Sequence, residues 1–323
     1  MLASIVIRTL NEAEYLDDLL KMIARQQTGE LAHEVVLIDS GSTDDTVAIA
    51  RRHGCRVTTI SKQEFSFGRS LNRGCDFAKG EILVFISGHC IPVDDHWLLN
   101  LCRPVMEGKI AYSYGRQVGD DDSYFSERRI FAKYYPETSA VPQEGFFCNN
   151  ANSALSRAAW ERHRFDEELT GLEDMALAKV LVNEGEKVGY VAEASVFHHH
   201  NETWAKVRRR FEREALALQL IMPEVQLRRR DVCRYIFSSV RMDMRSALRH
   251  HRSLRRHWYE ILRYRIAQYV GSYAGNHGHR RLSQSSKDRF FYPSVNESDS
   301  DNVWLKPNRR TAPDESKQPA GER

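Results

Sequence analysis

Paired cysteines and long apolar runs are missing from this sequence. Its six cysteines are scattered and none stands in a Cys-x-x-Cys pair, so neither a zinc ribbon nor a disulfide framework is predicted. No apolar run approaches the roughly 20 residues that cross a bilayer. Residues 1–7 also lack the basic and apolar regions of a secretory signal. We therefore expect a cytoplasmic protein with reduced thiols.

The net charge of +3 is unevenly distributed along the chain. Residues 206–281 hold nineteen Lys and Arg against six Asp and Glu, a local charge of +13 that leaves about −10 for the remainder. A basic segment on an acidic body suggests an anionic partner: lipid head groups at the inner face of the membrane, a phosphate-bearing acceptor or nucleic acid. The alternative is a basic helical face that pairs with the acidic part of the same chain.

Strand-like and helix-like segments alternate near the start of the chain. We predict strands at 4–8, 34–38, 57–60 and 82–86, and helices at 12–25, 46–53 and 70–79. This alternation predicts an α/β fold with a doubly wound, mainly parallel sheet.

Composition then suggests three regions. An α/β domain at 1–205 is followed by a basic helical appendage at 206–281 and by a polar tail at 282–323 that is predicted to be disordered. Ligands of doubly wound sheets bind beyond the carboxyl ends of the strands. The segments that begin at Thr9, Asp39 and Ser87 should therefore share one cleft.

Five sequence blocks follow one another at the spacing of a single domain. They are SIVIRTLNE at 4–12, VLIDSGSTD at 36–44, GRSLNRG at 68–74, FISGHCIP at 85–92 and GLED at 171–174. Together they resemble the family 2 glycosyltransferases, particularly the rhamnosyltransferase-like branch. The resemblance implies a GT-A fold and transfer of a sugar from a nucleotide-sugar donor.

The first two blocks suggest how the donor binds. Thr9 and Asp39 end adjacent predicted strands, so the Asp39 carboxylate can accept a hydrogen bond from the imide of uracil or thymine. This favours a UDP- or dTDP-sugar. The alternative is that Asp39 only caps the turn that contains Ser42. The further residues predicted on the donor side are Asn11, Glu12, Ser42, Ser87 and Gly88.

The third block places Arg69 and Asn72 on one face at the start of a predicted helix, where both can contact a nucleotide or its phosphates. Relatives often carry Arg directly before this Asn, whereas Leu71 stands here. Arg69 is predicted to substitute for that residue. The alternative is a solvated surface arginine.

Glu173 and Asp174 precede a predicted helix, so both carboxylates lie near its N-terminus. The resemblance implies that Asp174 is the general base, which takes the proton of the acceptor hydroxyl, and that Glu173 positions base or acceptor. Asn149, Asn150 and Asn152 form a loop predicted on the acceptor side. Side chains that merely stabilise this loop are the alternative.

The main departure from the family concerns the metal. Relatives carry an Asp-x-Asp-like triplet after the fourth strand, and Ser87-Gly88-His89 stands here. Downstream, alternation places His198 and His200 on one face and His199 on the other. His89, His198 and His200 are therefore predicted to hold Mn²⁺ or Zn²⁺ rather than Mg²⁺, or to compensate the donor diphosphate without a metal.

The favoured function is an inverting transfer of a sugar to a hydroxyl of a glycan or lipid-linked glycan, as in cell-surface polysaccharide synthesis. One alternative is a non-catalytic module that binds nucleotide sugars or nucleic acid, although no nucleic-acid-binding motif is found. The other is a sugar-1-phosphate nucleotidyltransferase. That class normally has a glycine-rich loop after the first strand, and residues 9–12 contain no glycine.

Overall fold

The computed structural model describes residues 1–120, 123–200, 202–251, 254–278 and Phe290. The tail predicted at 282–323 lies outside these residues apart from Phe290. The Phe290 side chain is buried and packs against Leu216.

One sheet of eight strands forms the centre of the molecule. The strands are β1 (Leu2–Thr9), β2 (Ala32–Asp39), β3 (Arg56–Thr59), β4 (Ile82–Ser87), β5 (Cys90–Pro92), β6 (Tyr112–Val118), β7 (Asn152–Ser156) and β8 (Val188–His198). Their order is β3-β2-β1-β4-β7-β6-β8-β5. Strands β1 to β4 are mutually parallel and β6 is parallel to β8, whereas β7 and β5 are antiparallel to their neighbours. The predicted α/β fold with a mainly parallel sheet is confirmed.

The helices found in the described part of the chain are α1 (Ala13–Ala24), α2 (Thr46–Arg52), α3 (Phe67–Phe77), α4 (Trp97–Met106), α5 (Phe125–Tyr134), α6 (Arg157–Arg162), α7 (Glu173–Asn183), α8 (Trp204–Ile221), α9 (Arg229–His251) and α10 (Leu254–Asn276). Helix α3 begins three residues before the predicted start. The Ser66 side chain causes the difference, because it accepts a hydrogen bond from the Arg69 N–H and so caps the helix at an earlier residue.

Alternating side chains of the sheet build two apolar layers. Ile5 and Ile7 of β1 pack with α1 and α4 on one face, while Val6 packs with α3 and α7 on the other. Both faces of the parallel strands are therefore buried, which explains why these segments read as continuous apolar runs. Packing on both faces leaves the carboxyl ends of the strands as the exposed edge.

The C-terminal helices pack tightly on one another and on α5. A side chain at Gly271 or Gly275 of α10 would place its Cβ 2.3 or 2.0 Å from the carbonyl oxygen of Arg208 or Glu212 in α8, so only glycine permits this approach. Arg265 of α10 donates to buried Asp243 of α9 at 2.8 Å, and Ser126 of α5 donates to the same carboxylate at 2.7 Å.

Helix α8 begins at Trp204, two residues before the predicted start of the appendage. The helices of the described ranges include none with both the length and the apolarity needed to cross a membrane.

Candidate active site

A cavity of about 1150 Å³ lies beyond the carboxyl ends of β1, β4 and β8. Thr9, Ser87 and His198 mark these three strand ends in its wall. Helix α8 closes the opposite side with Lys206, Arg210, Phe211, Arg213, Glu214, Ala215 and Leu218. The cleft predicted from the sheet topology is present, and the basic helical region forms part of its wall.

Three histidines meet in this cavity. Ligand atoms of His89, His198 and His200 all lie within 4.8 Å of one another. The rings of His198 and His200 have centroids 4.0 Å apart, and His89 stacks on His198 at 5.1 Å. His199 also lines the cavity but lies apart from this group, because its ring stacks on Tyr15 with centroids 4.7 Å apart and bonds to Asp120. The structure thus brings together the three predicted histidines and separates the fourth.

Each of the three rings is oriented by an acceptor at Nδ1. His89 bonds to Glu12 at 2.9 Å, His198 to the Gln117 carbonyl oxygen at 2.7 Å and His200 to Glu127 at 2.8 Å. Carboxylate and amide oxygens only accept, so Nδ1 carries a hydrogen in each ring, and Nε2 offers its lone pair when the ring is neutral. Outer partners of this kind fix imidazole ligands around metals.

Charge differs among these rings. Burial lowers the pKa of His198 well below its usual range, and the neighbouring histidines lower it further. Burial also opposes protonation of His89, but the charge and hydrogen bond of Glu12 outweigh it, and the pKa of His89 is raised. The neutral His198 ring can act as a metal ligand, and the His89 ring, when it is protonated, can contact phosphate.

A buried ion-pair network joins the histidines to α8. Arg210 donates to Glu127 at 2.6 Å and to Glu202 at 2.7 Å, and the same Glu127 oxygen receives the His200 hydrogen bond. Burial alone would raise the pKa of Glu127, but His200 and Arg210 outweigh it and lower the value to about 2. Glu127 is therefore an anion that holds α8 and His200 in one arrangement.

Two further arginines flank Phe67 in the cavity wall. The guanidinium carbons of Arg8 and Arg213 lie 4.6 and 4.7 Å from the Phe67 ring centroid. Arg8 Nη1 lies 3.6 Å from a Glu173 oxygen, beyond hydrogen-bond distance. This atom and Arg213 Nε are buried with no hydrogen-bond partner among the described residues. Buried N–H groups without acceptors favour an anionic ligand.

Glu173 and Asp174 form the first turn of α7, so the helix begins two residues earlier than predicted, and Leu172 precedes them in a left-handed conformation (φ 57°). Asp174 accepts the Asn150 and Met175 backbone N–H groups, each at 2.7 Å. Burial, and secondly the charge of Glu173, raise the pKa of Asp174 to about 7. Asp174 is 6% exposed and does not itself line the cavity, whereas Asn149, Leu172 and Met175 do.

The loops on the expected nucleoside side are tied together by the residues predicted there. One Asp39 oxygen accepts the Gly41 and Ser42 N–H groups, each at 3.0 Å, and the other has only a 3.4 Å contact with Thr9. The capping role of Asp39 is therefore present, and its side chain is buried and does not line the cavity, which corrects its expected position in the cleft. Asn11 accepts the Thr43 N–H at 2.8 Å.

Gly88 and Ser42 serve the shape of this region. A side chain at Gly88 would place its Cβ 2.9 Å from Glu12 Cγ, so glycine lets Glu12 reach His89. Ser42 accepts the Asn11 N–H at 2.8 Å. Neither lines the cavity, whereas Thr9, Asn11, Glu12, Ser87 and His89 do.

Arg69 and Asn72 do not reach the cavity, which corrects their expected position. Arg69 bonds to Glu167 at 2.7 Å, and the Asn72 amide bonds to Glu167 and to the Phe165 backbone, each at 3.0 Å. Trp160 also donates to the Asn72 oxygen at 3.1 Å. Spacing put both side chains on one face of α3, but that face packs on residues 165–167.

Of the three loop asparagines, one lines the cavity and two are buried. Asn149 lines the cavity and accepts from Gln117 at 3.0 Å. Asn152 is buried, accepts from Trp97 at 2.9 Å and donates to the Ala194 carbonyl oxygen at 2.8 Å, so its expected acceptor contact is replaced by a structural one. Asn150 is also buried, and its backbone N–H donates to Asp174.

Several residues of the site were not predicted from the sequence. They are Arg8, Gln117, Glu127, Glu202, Arg210 and Arg213. Arg8 lies within the first sequence block, directly before Thr9, and that position was its only signal. Glu127 and Arg210 are 83 residues apart, and no local pattern indicates that they pair.

The sequence of this chain is similar to those of known glycosyltransferases. Residues 4–164 match the family model "Glycosyl transferase family 2". The O-antigen chain rhamnosyltransferase WbaN of Salmonella anatum is 29% identical over 53% of this chain and 58% of its own length. RfbN of Salmonella typhimurium, another O-antigen chain rhamnosyltransferase, is 27% identical over 63% of this chain and 68% of its own length.

Among solved structures, a mannosyltransferase from Pyrobaculum calidifontis, in complex with GDP-Man and Mn²⁺, superposes with a TM-score of 0.58. It covers 84% of this chain and 86% of its own at 17% identity, a likeness of fold. The match to the first rhamnosyltransferase spans little more than half of that relative. With the family match and this fold, the chain belongs to glycosyl transferase family 2 and has the GT-A fold.

Proposed function

We propose that this protein transfers a sugar from a UDP- or dTDP-sugar to a hydroxyl of a glycan or lipid-linked glycan, with inversion at the anomeric carbon. The observation that carries the proposal is the buried Asp174 carboxyl, with a pKa of about 7, close in the chain to Leu172 and Met175, which line the cavity of the three histidines and the unpaired arginine N–H groups. Such an arrangement puts a base near cationic groups for a leaving diphosphate.

Asp174 is the proposed general base. A base whose pKa is near neutral combines a useful unprotonated fraction with enough basicity to take a hydroxyl proton. The acceptor oxygen attacks the anomeric carbon as its proton passes to Asp174, and the bond to the donor diphosphate breaks. Because the carboxyl is buried and does not line the cavity, residues around it must move for an acceptor to reach it.

His89, His198 and His200 are the proposed ligands of a divalent metal at the diphosphate. Three imidazoles with free Nε2 atoms suit Mn²⁺ or Zn²⁺ better than Mg²⁺, which prefers oxygen. A bound metal would supply positive charge to the departing diphosphate. Arg8 and Arg213 are proposed to bind phosphate oxygens through their unpaired N–H groups, and these arginines allow transfer to persist with a loosely held metal or none.

Asp39 is the proposed acceptor for the nucleobase imide, through the carboxylate oxygen that the Gly41 and Ser42 N–H groups do not occupy, once residues around this buried side chain move. The similarity to the O-antigen chain rhamnosyltransferases of Salmonella supports rhamnose as donor sugar and a polysaccharide chain as acceptor. Because the solved mannosyltransferase holds GDP-Man, GDP-sugars belong in the same binding screen as UDP- and dTDP-sugars.

The test compares Asp174→Asn with Asp18→Asn, an exposed carboxylate on α1. We expect Asp174→Asn to lower transfer by about 10² to 10⁴ while donor affinity changes by no more than a few-fold, because the base acts on the acceptor. Asp18→Asn should transfer normally. Transfer rate, donor titration and the anomeric configuration of the product by NMR are the measurements.

Near-normal transfer by Asp174→Asn would contradict the assignment of the base. Slow donor hydrolysis that this variant loses would support an enzyme even before the acceptor is identified. Donor binding without hydrolysis or transfer by the unaltered protein would instead favour the non-catalytic binding module.

A further inference from the structure

Helix α9 exposes large apolar side chains to solvent. Phe237 is 69% exposed, Met242 59% and Leu248 54%. The opposite side of the helix is buried through Val232, Asp243 and Ala247, which face α10 and α5. Such exposure along one helix exceeds the scattered apolar residues of an ordinary surface.

Arginines accompany these apolar side chains on the exposed side. Arg234, Arg241 and Arg245 follow at helical spacings of seven and four residues, so with Phe237 and Leu248 they form one stripe. We name the set Phe237, Leu248, Arg234, Arg241 and Arg245 the α9 face. None of the three arginines has an ion-pair partner among the described residues.

The carboxylates of α9 do not neutralise this face. Asp243 is buried and bonded to Arg265 and Ser126, and Asp231 accepts the Arg228 N–H at 3.0 Å in the first turn. The exposed middle of the helix therefore combines uncompensated positive charge with exposed apolar groups. This is the composition of helices that lie in a membrane interface.

The basic region thus contains two different surfaces. Arg210 and Arg213 of α8 line the cavity and are unavailable to an external partner, whereas the arginines of the α9 face are exposed. The excess of basic residues between 206 and 281 is accordingly divided between the cavity and the outer surface.

We propose that the α9 face binds anionic lipid membrane surfaces, with its arginines at the head groups and with Phe237 and Leu248 inserted among the acyl chains. This inference goes beyond the proposed sugar transfer and does not depend on it. Charge complementarity selects the partner, because an acidic lipid surface supplies both the anions and the adjoining apolar layer that the face matches. Nucleic acid supplies the anions but lacks the apolar layer.

The experiment is co-sedimentation of the full chain with vesicles of phosphatidylcholine alone or with about 30% phosphatidylglycerol, at low and high salt. Each arginine near an anionic surface contributes roughly a five-fold change in binding. Arg234→Gln/Arg241→Gln/Arg245→Gln should therefore lower binding by about 100-fold, and Phe237→Ser by about 10-fold or more. The matched control is Arg25→Gln/Arg51→Gln/Arg52→Gln, which removes three exposed arginines elsewhere and should bind as the unaltered chain does.

Several outcomes would overturn the proposal. Equal loss in the control would show a general effect of net charge. Undiminished binding by Phe237→Ser would show an electrostatic contact without insertion, as a nucleic acid would make. A dimer in solution that Phe237→Ser dissociates would assign the face to a second copy. Vesicle binding that arises only after removal of residues 291–323 would assign it to the tail. Soluble donor hydrolysis, unchanged in all these variants, keeps this test separate from that of the proposed transfer.

Discussion

The sheet and helix α8 contribute different chemistry to the same cavity. The sheet brings His89, His198 and the loops that follow β1 and β2, each held by hydrogen bonds within the α/β domain. Helix α8 brings Arg210 and Arg213. The residues matched by the family model end at 164, so Arg210 and Arg213 lie outside them, whereas Arg8 lies within them. In the proposed mechanism, part of the positive charge at the donor diphosphate therefore comes from a region that the family motifs do not identify.

The two regions also differ in how they are held in place. Hydrogen-bonded strands and two apolar layers fix the sheet side, whereas α8 is fixed by glycine contacts with α10 and by Arg210. The ion-pair network of Arg210 and Glu127 connects them, and the side chains of Thr170 and Lys179 also donate to carbonyl oxygens of α8. A substitution at Arg210 should consequently affect both sides of the cavity.

The largest effect on stability is expected for Arg210→Met. This change leaves Glu127, which is 1% exposed, without its arginine, and removal of one partner of a buried pair typically costs about 3–5 kcal/mol. Urea unfolding is the measurement, and Arg208→Met, an exposed position on the same helix, is the control. If both variants unfold alike, α8 is not held by this network.

The second prediction concerns the histidines and tests the sheet side. His89→Ala should lower transfer by roughly 100-fold, since outer partners of metal ligands alone typically contribute 10- to 100-fold. His199→Ala should lose less than about 10-fold, because its ring stacks on Tyr15 outside the group of three. Rates measured after EDTA treatment, with Mn²⁺, Zn²⁺ or Mg²⁺ restored, are the readout. An unaffected His89→Ala variant with strict Mg²⁺ dependence would place the metal elsewhere.

Much of the sheet side could be predicted from the sequence because its signals are local. Burial of Ile5, Val6 and Ile7 makes β1 a continuous apolar run, and the parallel arrangement of β1 to β4 follows from the alternation with helices. His198 and His200 were placed on one face by their spacing alone. The prediction that these two residues meet His89 required only that β4 and β8 end at the same edge of the sheet.

The cationic side could not be predicted in this way. A count of basic residues gives charge without direction, so Arg210 in the cavity and Arg241 on the surface are alike in the sequence. Arg69 and Asn72 show the same limit, because spacing defines a shared face of α3 but not the neighbour that covers it. In each case the missing information is tertiary packing between distant segments.

The smallest and most specific prediction is the pH profile of transfer, which concerns the junction of the two regions. Burial and the Glu173 charge raise the pKa of Asp174 to about 7, and only the unprotonated carboxylate can accept the hydroxyl proton. Transfer should therefore be level above pH 7 and fall by about ten-fold for each unit below it. An ordinary aspartate would keep the rate level down to about pH 4.

Glu173→Gln tests whether titration of Asp174 causes this fall in rate at low pH, the acid limb of the profile. The substitution removes the second-largest cause of the raised pKa and leaves the Arg8 charge, now without its carboxylate neighbour 3.6 Å away, to favour the Asp174 anion. Both changes stabilise the ionised form, so the acid limb should move to lower pH while the rate above pH 7 changes less. If the transfer rate of this variant begins to fall at the same pH as that of the unaltered protein, a group other than Asp174 causes the fall. The two carboxyls at the start of α7 would then not influence one another.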